Sequence, residues 1–165
     1  MALSTIASKQ VKAKKTTLKN VHQVLDYLAT NPDAMIRFHA SYIILDIHSD
    51  ASYLSANNAK SRASGHFFLS SVPKDGEPIT LNCEIFILCT ILKNLASSAA
   101  ESELSAIFMN VKEVHTIWLT LAELGHPQPP TPIHCDNATA LGISNGTIKK
   151  QRSYSMEMQY FYVCD

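Results

Sequence analysis

The strongest constraint on the fold is one long amphipathic segment, residues 98–124. Its apolar residues recur at steps of three and four: Leu104, Ile107, Val111, Val114, Trp118 and Leu121. This period predicts a helix with one buried face. Gly125 is placed to cap the C-terminus, and the prolines that follow prevent continuation. A helix therefore separates the segments before it from those after it.

Extended segments are predicted before this helix. Residues 35–54 are predicted to form two extended segments. Ile43, Leu45 and Ile47 alternate there with Ile44, Asp46 and His48, the pattern of a half-buried strand. The run 64–69 reads as another strand, and the apolar run 79–92 favours a strand over a helix. A loop is expected between them at 73–78.

Other elements flank these strands. The spacing of apolar residues over 17–30 predicts an early helix, which ends at Asn31 because the residue before a proline avoids helical conformation. After the long helix, we expect a strand at 131–135, a helix at 138–144 and a last helix starting near Ser155. This order is typical of a mixed α/β domain, and 165 residues suit a single domain.

Composition excludes several classes of protein. Net charge is zero, with 14 basic and 14 acidic residues, which excludes a strongly basic sheath around nucleic acid but not a local patch. The four cysteines form no C-x-x-C pair, so neither a cysteine zinc site nor a disulfide framework is expected. We expect them instead to be buried thiols in a reducing compartment. Neither a signal peptide nor an apolar run of about 18 residues is present, which predicts an intracellular protein that is not secreted.

Three acidic residues stand at positions suited to a site. Asp50 and Asp136 each end a predicted strand, and sites in α/β sheets collect outside the carboxyl ends of strands. Either aspartate could instead simply start a turn. On the long helix, at about 100° per residue, Glu103 borders the apolar stripe and Glu101 turns toward water. Only Glu103 is therefore predicted to join the site.

Three clustered carboxylates imply a bound cation. They repel one another and raise each other's pKa, which a metal ion would offset. Carboxylate oxygens suit magnesium or manganese. Two such ions about 4 Å apart can activate a water and stabilise the leaving oxygen of a phosphodiester.

Five segments in order carry a resemblance to a known family. They are HSDASYLS (48–55), the Ser-Arg-x-Ser-Gly of 61–65, SSAAESEL (97–104), LGHPQPPTPIHCDNATALG (124–142) and SMEMQYF (155–161). Together they resemble the ribonuclease H domain of copia-type retrotransposons, over nearly the whole chain. The segment 1–34 resembles the end of the connection from reverse transcriptase, and 35–165 the ribonuclease H domain. Since the family sequence continues further, we expect a C-terminal truncation.

The resemblance implies a ribonuclease-H-like α/β fold, a five-stranded mixed sheet flanked by helices. It implies hydrolysis of the RNA strand of RNA–DNA hybrids, with two magnesium ions (or manganese) held by four carboxylates. By position these are Asp50, Glu103, Asp136 and Glu157. The expected partners are the hybrid and the rest of the retrotransposon polyprotein, in the cytoplasm or nucleus, with neither a membrane nor a small-molecule cofactor.

Position 157 departs from the family, which has aspartate there. Glutamate is one methylene longer, and a misplacement of about 1 Å can lower a rate about 100-fold. A surface glutamate is the alternative for Glu157. A catalytically inactive remnant with at most a nucleic-acid or protein binding role therefore stays open, and a different nuclease or transposase of the same superfamily is a weaker third possibility.

Further residues have two interpretations each. Lys149, Lys150, Arg152 and Arg62, with Lys60, either contact phosphates of the hybrid or lie in solvated loops. His48 and His134 each stand two residues before a candidate aspartate, and either support the site or are structural. Asp46 lies about 13 Å along the strand from Asp50 and is predicted to be solvated. Asn137 either caps a helix or supports Asp136; the cap is favoured.

Overall fold

The computed structural model describes residues 2–56, 58–71, 82–148 and 162–163. The chain divides into two compact units, Met1–Arg37 and Phe38–Asp165, close to the predicted boundary after Ala34. The first unit contains helix α1 (Ala2–Ala7), a 3₁₀ turn (Gln10–Lys12) and helix α2 (Lys15–Thr30). Helix α2 confirms the helix predicted over 17–30.

The second unit is a mixed α/β structure, as predicted. Its elements are β1 (Ile44–Ala56), β2 (Lys60–Ser70), β3 (Glu84–Ile91), α3 (Ala99–Glu123), β4 (Ile133–His134) and α4 (Ala138–Ser144). The strands form one sheet in the order β3-β2-β1-β4. Strands β1, β2 and β3 are antiparallel neighbours, and β4 is parallel to β1. The sheet has four strands in the described ranges, where the resemblance implied five.

The core fixes α3 on one face of the sheet. Leu45 and Ile47 of β1, Phe67 of β2 and Leu121 of α3 form one buried cluster. Burying each such side chain stabilises the fold by about 1.5–3 kcal/mol. Side chains alternate along a strand. The opposite face of β1 therefore carries Asp46, His48 and Asp50.

Several strand predictions differ from the structure in extent. No strand precedes Ile44 in the described residues, although an extended region was predicted from residue 35. Apolar residues there, such as Met35 and Phe38, are largely exposed. The strand predicted at 131–135 shortens to two residues, since the prolines before it have no N–H for the ladder. The loop predicted at 73–78 and the helix predicted from Ser155 lie outside the described residues.

Helix caps follow the sequence closely. At the C-terminus of α3, Gly125 has φ +89°, and its N–H donates to the Ala122 carbonyl at 3.1 Å. A positive φ favours glycine, so the predicted cap is confirmed. At the start of α4, Asn137 Oδ1 accepts from the N–H groups of Thr139 and Ala140 at 3.1 and 3.0 Å. The capping interpretation of Asn137 is therefore confirmed.

Candidate metal centre

Two of the predicted carboxylates stand at equivalent positions of neighbouring parallel strands. His48 of β1 pairs with His134 of β4, and Asp50 and Asp136 follow two residues later in each chain segment. Both aspartates are exposed. They line one cavity of about 340 Å³, whose walls are His48, Ser49, Asp50, His134, Cys135 and Asp136. The parallel register therefore places them side by side. The prediction that Asp50 ends a strand is wrong, because β1 continues to Ala56, whereas Asp136 does follow the end of β4.

The third carboxylate reaches this place from α3. Glu103 is buried, and the main-chain N–H of Ala51 donates to its carboxylate. The Cys135 thiol donates to Glu103 Oε2 at 3.7 Å. A carboxylate oxygen of Glu103, the sulfur of Cys135 and a carboxylate oxygen of Asp136 all lie within 4.8 Å of one another. This group could hold a metal ion.

The electrostatics of Glu103 link it to both aspartates. Burial raises its pKa from 4.5 to about 7; the Ala51 N–H opposes this rise, while the negative charges of Asp50 and Asp136 add to it. A bound cation would remove this conflict, because opposite charge favours the ionised form. Both aspartates thus lie near enough to Glu103 to disfavour its charge.

Cys135 contributes to the site as a thiol. Burial, together with the negative charge of Glu103, raises its pKa to about 11, and the main-chain N–H of Asn137 opposes this rise. The thiolate is the metal-binding form of cysteine, and at neutral pH Cys135 is protonated. Its S–H therefore orients Glu103, leaving oxygen atoms as the ligands.

Asp50 is held by the neighbouring strand. Ser64 of β2 lies opposite Asp50, and its hydroxyl donates to Asp50 Oδ2 at 3.4 Å and to the Asp50 carbonyl at 3.3 Å. Sequence reasoning did not identify Ser64 or Cys135 as parts of the site. Only the position of Cys135, immediately before Asp136, offered a signal.

The predicted orientation of Glu101 is wrong. Its side chain is 4% exposed rather than solvated. The Ser97 N–H and hydroxyl both donate to Glu101 Oε2 at 2.6 Å, and the Glu101 N–H donates to the Ser98 hydroxyl at 3.2 Å. Residues 101–107 are all buried, so the start of α3 has no water-facing side. Ser98 is the N-cap of α3, and the Glu101 carboxylate is held by Ser97, just before the helix. Glu101 therefore differs from Glu103 in its hydrogen-bond partners and not in its burial.

The prediction that Asp46 is solvated is also wrong, because its side chain is 1% exposed. His134 Nε2 lies 3.3 Å from Asp46 Oδ2, and His48 Nε2 lies 3.7 Å from Asp46 Oδ1. The histidines therefore contact Asp46, and not the aspartates two residues after them. This group offers one ligand atom per residue, all within 4.8 Å of one another, and could also hold a metal ion.

The predicted phosphate-binding residues are placed only in part. Arg62 of β2 is 5% exposed and lies between Ser52 of β1 and Ile91 of β3. This burial does not support a contact between Arg62 and phosphates. Lys60 is exposed at the start of β2. Four further predicted site residues lie outside the described residues: Lys149, Lys150, Arg152 and Glu157.

Comparison with protein-family models, with curated proteins and with solved structures gives no significant match to this chain. Among the helices of the described residues, none is long and apolar enough to cross a membrane.

Proposed function

We propose that this chain is a metal-dependent endonuclease domain that hydrolyses the RNA strand of RNA–DNA hybrids, within a copia-type retrotransposon reverse transcriptase and ribonuclease H. The observation that carries the proposal is the convergence of Asp50, Glu103 and Asp136, which lie far apart in sequence. Glu103 is within electrostatic reach of both aspartates. The mixed sheet and the five ordered motifs support the same assignment.

The donor set fits magnesium. The three carboxylates offer hard oxygen ligands, and a buried acid whose pKa is raised to about 7 needs a cation to ionise fully at neutral pH. When bound, two such ions activate a water and stabilise the leaving oxygen. The exposed Asp50 and Asp136 meet a substrate at the cavity, while Glu103, held by Ala51 and Cys135, fixes the inner side of the site.

The test uses the purified chain with a labelled RNA–DNA hybrid and either magnesium or manganese. We expect cleavage of the RNA strand that Asp50→Asn lowers by at least about 100-fold, because a metal ligand contributes several kcal/mol to the transition state. Asp33→Asn, the same change in the first unit, is the matched control and should cut at the wild-type rate. Folded wild-type protein that cuts no hybrid RNA with either ion would refute the proposal.

The glutamate at position 157 favours a second candidate, an inactive remnant that binds nucleic acid or a protein. This form would bind the hybrid without cutting it. Glu157→Asp distinguishes the active nuclease from the inactive remnant. If the wild type does not cut and the variant does, the chain is the remnant; a wild type that already cuts excludes the remnant.

A further inference from the structure

A second group of ligand atoms lies on the sheet face opposite α3. Asp46 and His48 are two residues apart on β1 and share this face. The parallel pairing of β1 with β4 sets His134 beside His48, with ring centroids 4.8 Å apart. The topology thus brings one carboxylate and two imidazoles together from positions nearly 90 residues apart in sequence.

The distances match the spacing of ligands around one ion. Each imidazole Nε2 approaches a different oxygen of Asp46, at 3.3 Å for His134 and 3.7 Å for His48. With metal–ligand bonds of about 2.0–2.2 Å, the ligands of a tetrahedral zinc ion lie about 3.4 Å from one another. All three ligand atoms lie within 4.8 Å of one another.

The carboxylate of Asp46 is not satisfied by its surroundings. The side chain is 1% exposed, and Oδ1 has no hydrogen-bond partner among the described residues. An unpaired buried acceptor is costly, more so when it is charged. One divalent cation would satisfy the unpaired oxygen and both imidazoles at once.

We propose that Asp46, His48 and His134 bind a divalent transition-metal ion of the zinc type, at a site that adjoins the carboxylate centre in the same cavity but has its own ligands. Imidazole nitrogens suit zinc and its neighbours, whereas magnesium prefers oxygen ligands alone. Both histidine side chains are 45% exposed and line the cavity, so a fourth position stays open to water or a ligand. This site does not depend on the nuclease function.

The test is zinc binding by the full chain, measured by competition with a coloured chelator, and cobalt binding, measured by visible absorption. We expect one tightly bound equivalent and the absorption of tetrahedral cobalt with nitrogen and oxygen ligands. Asp46→Asn and His134→Gln should each weaken zinc binding by more than about 100-fold, since even residues behind the ligands change affinity 10- to 100-fold. His134 is half-exposed, so its variant tests the site even if Asp46→Asn fails to fold.

Matched controls distinguish this site from its neighbours. His66 lies on the same sheet face and contacts Glu84 at 3.4 Å, so His66→Gln should keep wild-type zinc affinity. Cys135→Ser and Glu103→Gln alter the carboxylate centre and should also keep it. The proposal would be overturned if Cys135→Ser abolished zinc binding and Asp46→Asn did not. It would also be overturned if the wild type bound no equivalent of zinc.

Discussion

Glu103 is the residue at which the proposed activity and the stability of the fold conflict. The site needs its charge for a cation, yet burial and two neighbouring aspartates oppose that charge in the absence of metal. Local pattern could suggest Glu103 but not its surroundings, because the Ala51 N–H and the Cys135 thiol come from segments that only the fold brings near.

Replacing Glu103 with glutamine should abolish hybrid cleavage and yet stabilise the metal-free protein. At pH 8 the wild-type carboxylate is charged against its pKa of about 7, and the neutral amide removes this penalty, which we expect to raise the free energy of unfolding by about 1–3 kcal/mol. Urea denaturation with a chelator present measures the change. Glu123→Gln, at the exposed end of the same helix, should leave both properties unchanged; a destabilised Glu103→Gln would contradict the argument.

At the scale of elements, α3 crosses β2 closely because Gly65 has no side chain. A Cβ at this position would lie 2.6 Å from Asn110 Cγ and collide with Asn110 Oδ1. Asn110 cannot withdraw easily, since it is fully buried and its Nδ2 donates to the Ser49 hydroxyl at 2.9 Å and to the Ser64 carbonyl at 3.1 Å. The contact thus holds the helix to the two strands beside Asp50.

Gly65→Ala should therefore destabilise the fold by about 1–3 kcal/mol, the usual cost of overfilling a packed interior. Thermal or urea unfolding measures the change. Asn110→Ala provides the matched background: with the amide removed, the same glycine substitution should cost much less, so a double-mutant cycle should show strong coupling. Purely additive effects would show that Asn110 does not restrict this position.

The long helices and strands could be predicted from the sequence, whereas the burial of polar residues within them could not. Helix α3 and its cap at Gly125 follow from residues close in sequence. The length of β1 does not: the strand continues past Asp50 to Ala56, because its partner β2 runs on beside it. The burial of Asp46 and Glu101 depends on His134 and on the chain before α3, which local periodicity cannot detect. Asn110 stands three positions after Ile107, so the sequence places a polar residue on the apolar face of the helix. The reason, its contact with Gly65, is evident only from the fold.

At the scale of the whole molecule, the buried acid makes stability depend on pH. Glu103 has a pKa of about 7 in the folded state and 4.5 as its ordinary value. Between these pH values the folded chain keeps a proton that the unfolded chain has lost. Stability from this group is therefore fully present below about pH 4.5 and is lost as the pH rises to about 7.

We compare the free energy of unfolding of the wild type with that of Glu103→Gln. The difference should fall by up to about 3 kcal/mol between pH 4.5 and 7 and then stay level. Denaturation series on both proteins in chelator isolate the contribution of this residue, since other titrating groups cancel in the difference. Saturating magnesium should flatten the curve near neutral pH. A difference that rises with pH would have the wrong sign for a buried acid.

Strand β4 pairs with β1 through only two residues, Ile133 and His134, yet it supplies His134 to one candidate site and leads directly to Asp136 of the other. So short a ladder resists local opening less than the long pairing of β1 with β2 does. Whichever ion binds first would bear the entropy cost of ordering it, and the second would bind a segment already ordered. The two sites would then strengthen each other's occupancy by the same factor, without any change of shape.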